Sequence, residues 1–315
     1  VTQQPTSSEA AHRPQRYTAP PDLTKFAWLS IAAAVVTITL KGFAAYLTGS
    51  VGLLSDATES LVNLVAAVVA LFALRAAIRP PDSKHPYGRS KAEYFSAIVE
   101  GAMIFGAAAF IIYTAIRRLI TPTMPENLGI GLGISVVAAL VNGGVAMVLL
   151  RKGRQARSIT LVADGKHLMT DVVTSAAVLI GVLLVALTHQ ARLDAVVALL
   201  AGLNILWTGY GLIREAGDNL MDAALPAETL EEINSVLDEF RTEHDVEFHA
   251  VRTRAAGHRR FVSMHVLVPG EWTVARGHDL CENLIDAMVE KVPDLRVDTH
   301  LEPAEDPRSY EDIDI

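Results

Sequence analysis

Two short stretches of this chain place cation-binding groups in otherwise apolar surroundings. Residues 55–63 carry Asp56, Glu59 and Asn63, and residues 163–171 carry Asp164, His167 and Asp171. The two trios match at an offset of 108 residues: Asp56 with Asp164, Glu59 with His167, Asn63 with Asp171. Spacings of three and four put each trio on one face of a helix. Ionisable groups inside a membrane span are costly and are functional by default. Glu59, Asn63, His167 and Asp171 together offer oxygen donors and one imidazole nitrogen, a set that suits tetrahedral Zn²⁺. Ligand softness leaves Fe²⁺, Co²⁺, Ni²⁺ and Mn²⁺ open as well. Binding requires a neutral imidazole and ionised carboxylates, so it releases protons, and such a site is a minimal proton–metal exchanger. The alternative is polar glue between packed spans, which needs fewer buried polar groups than these. Asp56 and Asp164 lie one turn before the presumed ligands. They either orient those ligands or cap helix ends near the interface, and Asp56 fits the first role better.

These residues need spans to carry them. The chain has 315 residues, 51% hydrophobic and 20% charged, with a mean hydropathy of +0.32. Charge divides it: residues 1–221 hold 18 Lys and Arg against 13 Asp and Glu, whereas residues 222–315 hold 9 against 22. A single soluble domain and full disorder are both excluded. A net charge of −8 gives no reason to expect nucleic-acid binding. The lone Cys281 excludes an internal disulfide and a cysteine metal cluster, and reads as filler in a helix.

About 20 apolar residues cross a bilayer core. Six segments qualify: residues 26–47, 51–73, 94–113, 128–150, 159–187 and 193–213. Arg75, Arg79, Lys84, Arg89 and Lys91 follow the second, and Arg151, Lys152, Arg154 and Arg157 follow the fourth. The positive-inside rule then puts both termini in the cytoplasm, with Arg117 and Arg118 as the exception. In that topology the second and fifth spans run antiparallel, so their polar faces can converge. The expected division is a disordered cytoplasmic tail (1–22), a six-span domain (23–217), a cytoplasmic domain (218–304) and an acidic, disordered tail (305–315). Residues 1–22 are polar and Pro-rich and lack the apolar stretch of a signal peptide. Within residues 226–303 the pattern is αββαβ, a small α+β, ferredoxin-like domain with a sheet and two helices. Period two puts Asp298, His300 and Glu302 on one strand face, polar and outward.

At this point the chain resembles the cation diffusion facilitators. The matching stretches are residues 49–57 (GSVGLLSDA), 85–93 (HPYGRSKAE) and 163–171, and the likeness covers nearly the whole chain. It implies a homodimeric antiporter in the bacterial inner membrane. Such a protein exports Zn²⁺, or Fe²⁺, Co²⁺, Ni²⁺, Mn²⁺ or Cd²⁺, from the cytoplasm against protons by alternating access around a fixed site. The family's transport ligands fall on Glu59, Asn63, His167 and Asp171. Where the family usually has His or Asp followed by Asp, this chain has Glu59 and then Asn63. One negative charge is gone, which bears on metal choice and proton stoichiometry and raises the importance of Asp56. A loop site that some members carry keeps Asp82 and His85, but Arg89 stands where a second His is often found. Arginine has no acceptor, so that site is expected to be weak or absent.

The resemblance also implies a metallochaperone-like, dimerising cytoplasmic domain. Its metal ligands fall on His249, His265, His278, His300 and Glu302, and the metal there is regulatory. A merely solvated polar face is the alternative. Lys91 and Asp222 are expected to pair at a hinge between subunits. The rival function is a membrane-anchored metal sensor without transport. Neither a Gly-rich phosphate loop nor a His-Glu-x-x-His helix is present, which argues against ATP-driven transport and an intramembrane hydrolase.

Overall fold

The computed structural model describes residues 21–48, 51–121, 129–188, 190 and 192–311. Within these, the side chains of residues 44, 45, 47, 48, 51–59, 62, 129–132, 182 and 186 lie outside the description. The chain forms two compact units, residues 21–218 and 219 to the C-terminus.

The first unit is built from six helices: α1 (Thr24–Thr48), α2 (Val51–Ala77), α3 (Ala92–Ile120), α4 (Gly129–Gln155), α5 (Ile159–Thr188) and α6 (Arg192–Leu220). Five of them are long and apolar enough to cross a membrane, and α2 contributes the apolar stretch Asn63–Ala77. The helices run 25–30 residues. At about 1.5 Å per residue they exceed the ~30 Å hydrocarbon core, so they end several residues beyond the apolar segments in sequence. Large apolar side chains such as Phe43, Phe72, Phe110 and Trp207 stay on the outside, as they do where the solvent is lipid.

Glycines set the helix spacing, because apolar burial drives little association inside lipid. A Cβ on Gly209 of α6 would stand 2.9 Å from the Phe105 nitrogen and 3.1 Å from the Gly101 oxygen of α3. A Cβ on Gly165 of α5 would meet Leu150 of α4 at 2.8 Å, and one on Gly153 would meet the Val162 nitrogen at 2.9 Å. So α3 lies backbone-close on α6, and α4 on α5. Arg118, an apparent exception to the charge rule, donates to Asp194 at the start of α6 over 3.1 Å. The Asp194 carboxylate is itself seated against Gly181 of α5.

The second unit holds α7 (Ala227–His244), β1 (Glu247–Ala256), β2 (Arg259–Val268), α8 (Val274–Lys291) and β3 (Leu295–Pro303). The expected αββαβ order is present. The sheet order is β1-β2-β3, with β1–β2 antiparallel and β2–β3 parallel, the latter joined through α8. Both helices contribute to one core with the inner sheet face, centred on Ile233, Leu237, Phe248, Met264, Leu284 and Met288. Cys281 lies in that core, and burial pushes its thiol pKa up, so it is an inert filler.

One expectation fails here. Residues 305–311 do not form a loose tail. Glu305 accepts from the Gly270 amide (2.8 Å), Asp306 caps the 3₁₀ turn Pro307–Tyr310, and the Ser309 hydroxyl and Tyr310 phenol bond the carbonyls of Pro303 and Ala304. Acidic composition suggested solvation, but two of those acids satisfy backbone amides instead. Residues 1–20 and 312–315 lie outside the described residues.

Candidate metal centre

Asn63 on α2 and His167 and Asp171 on α5 come together inside the membrane unit. Asn63 and His167 are buried, at 4% and 5% exposure. His167 Nε2 lies 2.7 Å from Asn63 Oδ1, and Asn63 Nδ2 donates to Asp171 Oδ2. The chain of bonds assigns the tautomer: Nε2 carries the proton toward the Asn63 carbonyl oxygen. His167 Nδ1 is buried with no partner among the described residues. The side chains of Asp56 and Glu59, the other expected members on α2, lie outside the described residues.

Asn142 has no counterpart at the 108-residue offset that links the two trios. The structure brings it from α4 to the same carboxylate, where its Nδ2 donates to Asp171 Oδ2 over 2.9 Å. Its Oδ1 is buried and has no partner among the described residues. The close α4–α5 packing at Gly165 and Gly153 makes this reach possible, and Gly143, next to Asn142, faces Val172. A lone Asn in an apolar span was the available signal, and it lacked a spacing partner.

Asp164 stands apart from this cluster. It accepts from Ser30 of α1 over 2.9 Å. In the α2–α3 loop, Asp82 is already occupied. It accepts from the amides of Lys84 (3.0 Å) and His85 (2.8 Å), and from Arg89. The His85 amide first, with Arg89 and the His85 ring behind it, lowers the Asp82 pKa to about 2.

The cytoplasmic unit carries a second cluster. His249 pairs in register with His265, and His265 with His300, so three imidazoles stand side by side across the three strands. Adjacent ring centroids are 5.0 Å apart in both pairs. Glu302 serves all three: Oε2 lies 3.0 Å from His249 Nε2 and 3.2 Å from His265 Nδ1, and Oε1 lies 3.4 Å from His300 Nε2. His249, His265 and Glu302 offer ligand atoms within 4.8 Å of one another. Glu302 is 12% and His249 13% exposed, whereas His300 at 68% opens the cluster to solvent on one side. A bulge between His249 and Arg252 inserts an extra residue, with Ala250 at φ 49°. That left-handed residue is strained without glycine and re-aims the strand beside His249. Tyr310 from the docked tail covers the His249 ring at 6.0 Å. His278, on the exposed side of α8, and Asp298 are not part of the cluster. Asp222, expected opposite Lys91, stands 3.5 Å from Arg254 within its own unit.

Residues 27–221 match the family model for the cation efflux transmembrane domain, and residues 225–304 match that for the cation efflux protein cytoplasmic domain. An uncharacterized transporter, sll1263, from Synechocystis sp. is 50% identical over 289 residues, covering 92% of this chain and 93% of that protein. The cation-efflux pump FieF of Salmonella arizonae is 30% identical over 283 residues, covering 89% and 93%. The metal-bound C-terminal domain of the CzcD transporter from Thermotoga maritima is 28% identical, covering 25% of this chain and 92% of that one, with a TM-score of 0.24. Two polar trios on paired helices, a helical membrane unit and an αββαβ domain thus meet two family models that together span most of the sequence: the chain belongs to the cation diffusion facilitator family of divalent metal efflux transporters.

Proposed function

We propose that this protein is a homodimeric metal–proton antiporter that exports Zn²⁺, or a neighbouring divalent ion, from the cytoplasm. The metal passes through a site made of Glu59, Asn63, His167 and Asp171. The observation that carries this reading is the buried hydrogen-bonded chain His167–Asn63–Asp171 between α2 and α5. His167 Nε2 and Asn63 Oδ1 share a proton at 2.7 Å. A small opening lets the same two atoms share a cation at metal–ligand distances of about 2.0–2.2 Å. When the metal enters, the neutral imidazole keeps its one proton: either the proton moves to Nδ1 and frees the Nε2 lone pair, or it stays on Nε2 and the Nδ1 lone pair takes the cation. Asp171 exchanges amide donors for a cation. When protons return, the ligands are occupied again and the metal leaves. That competition couples the two fluxes.

The cytoplasmic cluster His249–His265–His300–Glu302 supports a regulatory role. A metal held there favours one arrangement of the domains in the dimer and so biases the transport equilibrium. His278 joins only if the partner chain presents it.

The test is reconstitution into liposomes that are acidic inside. Zn²⁺ uptake is expected in the wild type, and its loss in His167→Ala and Asp171→Ala with folding retained. Wild-type protein that moves no divalent ion under a pH gradient overturns antiport and leaves the membrane-anchored sensor. In that case, truncation after residue 222 abolishes function altogether.

A further inference from the structure

Two amides grip the Asp171 carboxylate through the same oxygen. Asn63 Nδ2 from α2 and Asn142 Nδ2 from α4 both donate to Oδ2, the latter over 2.9 Å. The two asparagines differ in what else they do. Asn63 offers its Oδ1 to His167 Nε2 at 2.7 Å and is a proposed ligand. Asn142 is 2% exposed, and its Oδ1 is buried with no partner among the described residues. The reverse orientation of that amide would set its oxygen against a carboxylate oxygen, so the N–H groups face Asp171. The orientation leaves a buried carbonyl unmet, which is costly, and the contact with Asp171 is what it gains in return.

The helix holds this donor in place. Gly143, the next residue, would bring a Cβ 3.5 Å from Val172, the residue after Asp171. Ala146 and Leu149 of α4 are buried in one cluster with Leu161 and Leu168 of α5. The donor on α4 and the acceptor on α5 therefore keep their spacing. When the Asn63 amide turns its oxygen to a cation, Asn142 is the donor that stays on Asp171 Oδ2.

A carboxylate can meet a cation with one oxygen or with both. One oxygen fills one coordination position, and four such positions suit tetrahedral Zn²⁺. Both oxygens fill two positions, which suits ions that take six or more oxygen ligands. A fixed N–H on Oδ2 directs Asp171 to approach the cation through Oδ1.

We propose that Asn142 is a positioning residue that holds Asp171 to one oxygen toward the metal and so favours four-coordinate ions, Zn²⁺ and Co²⁺, over Mn²⁺. Selectivity then comes in part from α4, a helix that supplies none of the proposed ligands. This inference deepens the metal-site reading above and rests on it.

Visible absorption of Co²⁺ bound to the full-length protein in detergent reads the coordination number. Glu302→Gln in every sample takes the cytoplasmic cluster out of the signal. The parent protein is expected to show the intense d–d bands of four-coordinate Co²⁺, and His167→Ala to lose them. Asn142→Leu keeps similar volume without a donor. It is expected to weaken the bands, as Asp171 turns both oxygens to the ion. Competition titrations on the same samples should show Zn²⁺ affinity reduced by about 10–100-fold in Asn142→Leu. Mn²⁺ affinity should stay nearly unchanged, so the preference for Zn²⁺ over Mn²⁺ falls by the same factor. Asn142→Ala, smaller and also without a donor, should behave alike and serves if the leucine does not fit. Unchanged Co²⁺ bands overturn the proposal. So do equal losses of Zn²⁺ and Mn²⁺ affinity, which is what a merely structural contact gives. A parent protein with no bands that depend on His167 overturns the metal site itself, and this inference with it.

Discussion

Asp171 is held by two amides from different helices, and their loss should differ in kind. Asn142→Ala removes one donor to Asp171 Oδ2 and no proposed ligand. Groups that orient a metal ligand typically contribute about 10–100-fold in affinity. Calorimetric Zn²⁺ titration of Asn142→Ala should show a drop in that range, and wild-type affinity would mean that Asp171 is positioned without it. Asn63→Asp instead adds a charge at a proposed ligand, so it should re-order the preference among Zn²⁺, Mn²⁺, Fe²⁺ and Co²⁺ in metal-dependent melting. An unchanged order would put Asn63 outside the ligand set. The difference between the two asparagines also explains what was legible in the sequence. Asn63 repeats against Asp171 at a fixed offset, whereas Asn142 has no echo, and its role depends on how closely α4 approaches α5. The three cytoplasmic histidines were legible as residues, but their alignment depends on strand register and on a bulge at Ala250 that no turn signal announces.

The helices can be tested through their glycines. Gly209→Ala puts a methyl 2.9 Å from the Phe105 backbone nitrogen, where no side chain can yield. Overpacking of this kind costs about 1–3 kcal/mol, so the variant should melt lower in detergent and loosen α3 against α6. Gly211→Ala, two residues along the same helix, meets nothing within 4 Å. It should be neutral, or stabilising by up to about 1 kcal/mol through helix propensity. Equal melting of the two variants would mean that the α3–α6 approach is not tight. The α2–α3 loop has a pH signature. The Asp82 pKa is lowered by the His85 amide and Arg89, so its ionised form organises the loop above the ordinary Asp value of about 3.9. That order is lost as pH falls through about 2. The His85 amide resonance should therefore hold its position down to that range. A shift near the ordinary Asp value would show Asp82 to be unengaged. The same engagement explains why the loop offers Asp82 little freedom to serve a metal.

At the scale of the whole molecule, the two units divide the work, and the opposed charges of the two parts of the sequence follow that division. The cytoplasmic unit has its own core, so a fragment of residues 219–315 should unfold in one cooperative step. A ligand at 100 times its Kd stabilises by about 2.7 kcal/mol. Zn²⁺ should raise the fragment's melting temperature accordingly at pH 7, and less as acid protonates the imidazoles. Glu302→Gln should remove most of that rise, because one carboxylate serves all three histidines. A rise that survives the substitution would place the metal elsewhere. The register of those histidines has a mechanical consequence. His249 and His300 sit on the two edge strands and His265 on the strand between them, so an ion bound there is a clasp across the width of the sheet. Shearing β1 past β2, or β3 past β2, would have to break metal–ligand bonds as well as backbone hydrogen bonds. A tether pulled between the edge strands should therefore rupture at higher force with the ion in place, and a domain so clasped would be stiffest when cytoplasmic metal is plentiful.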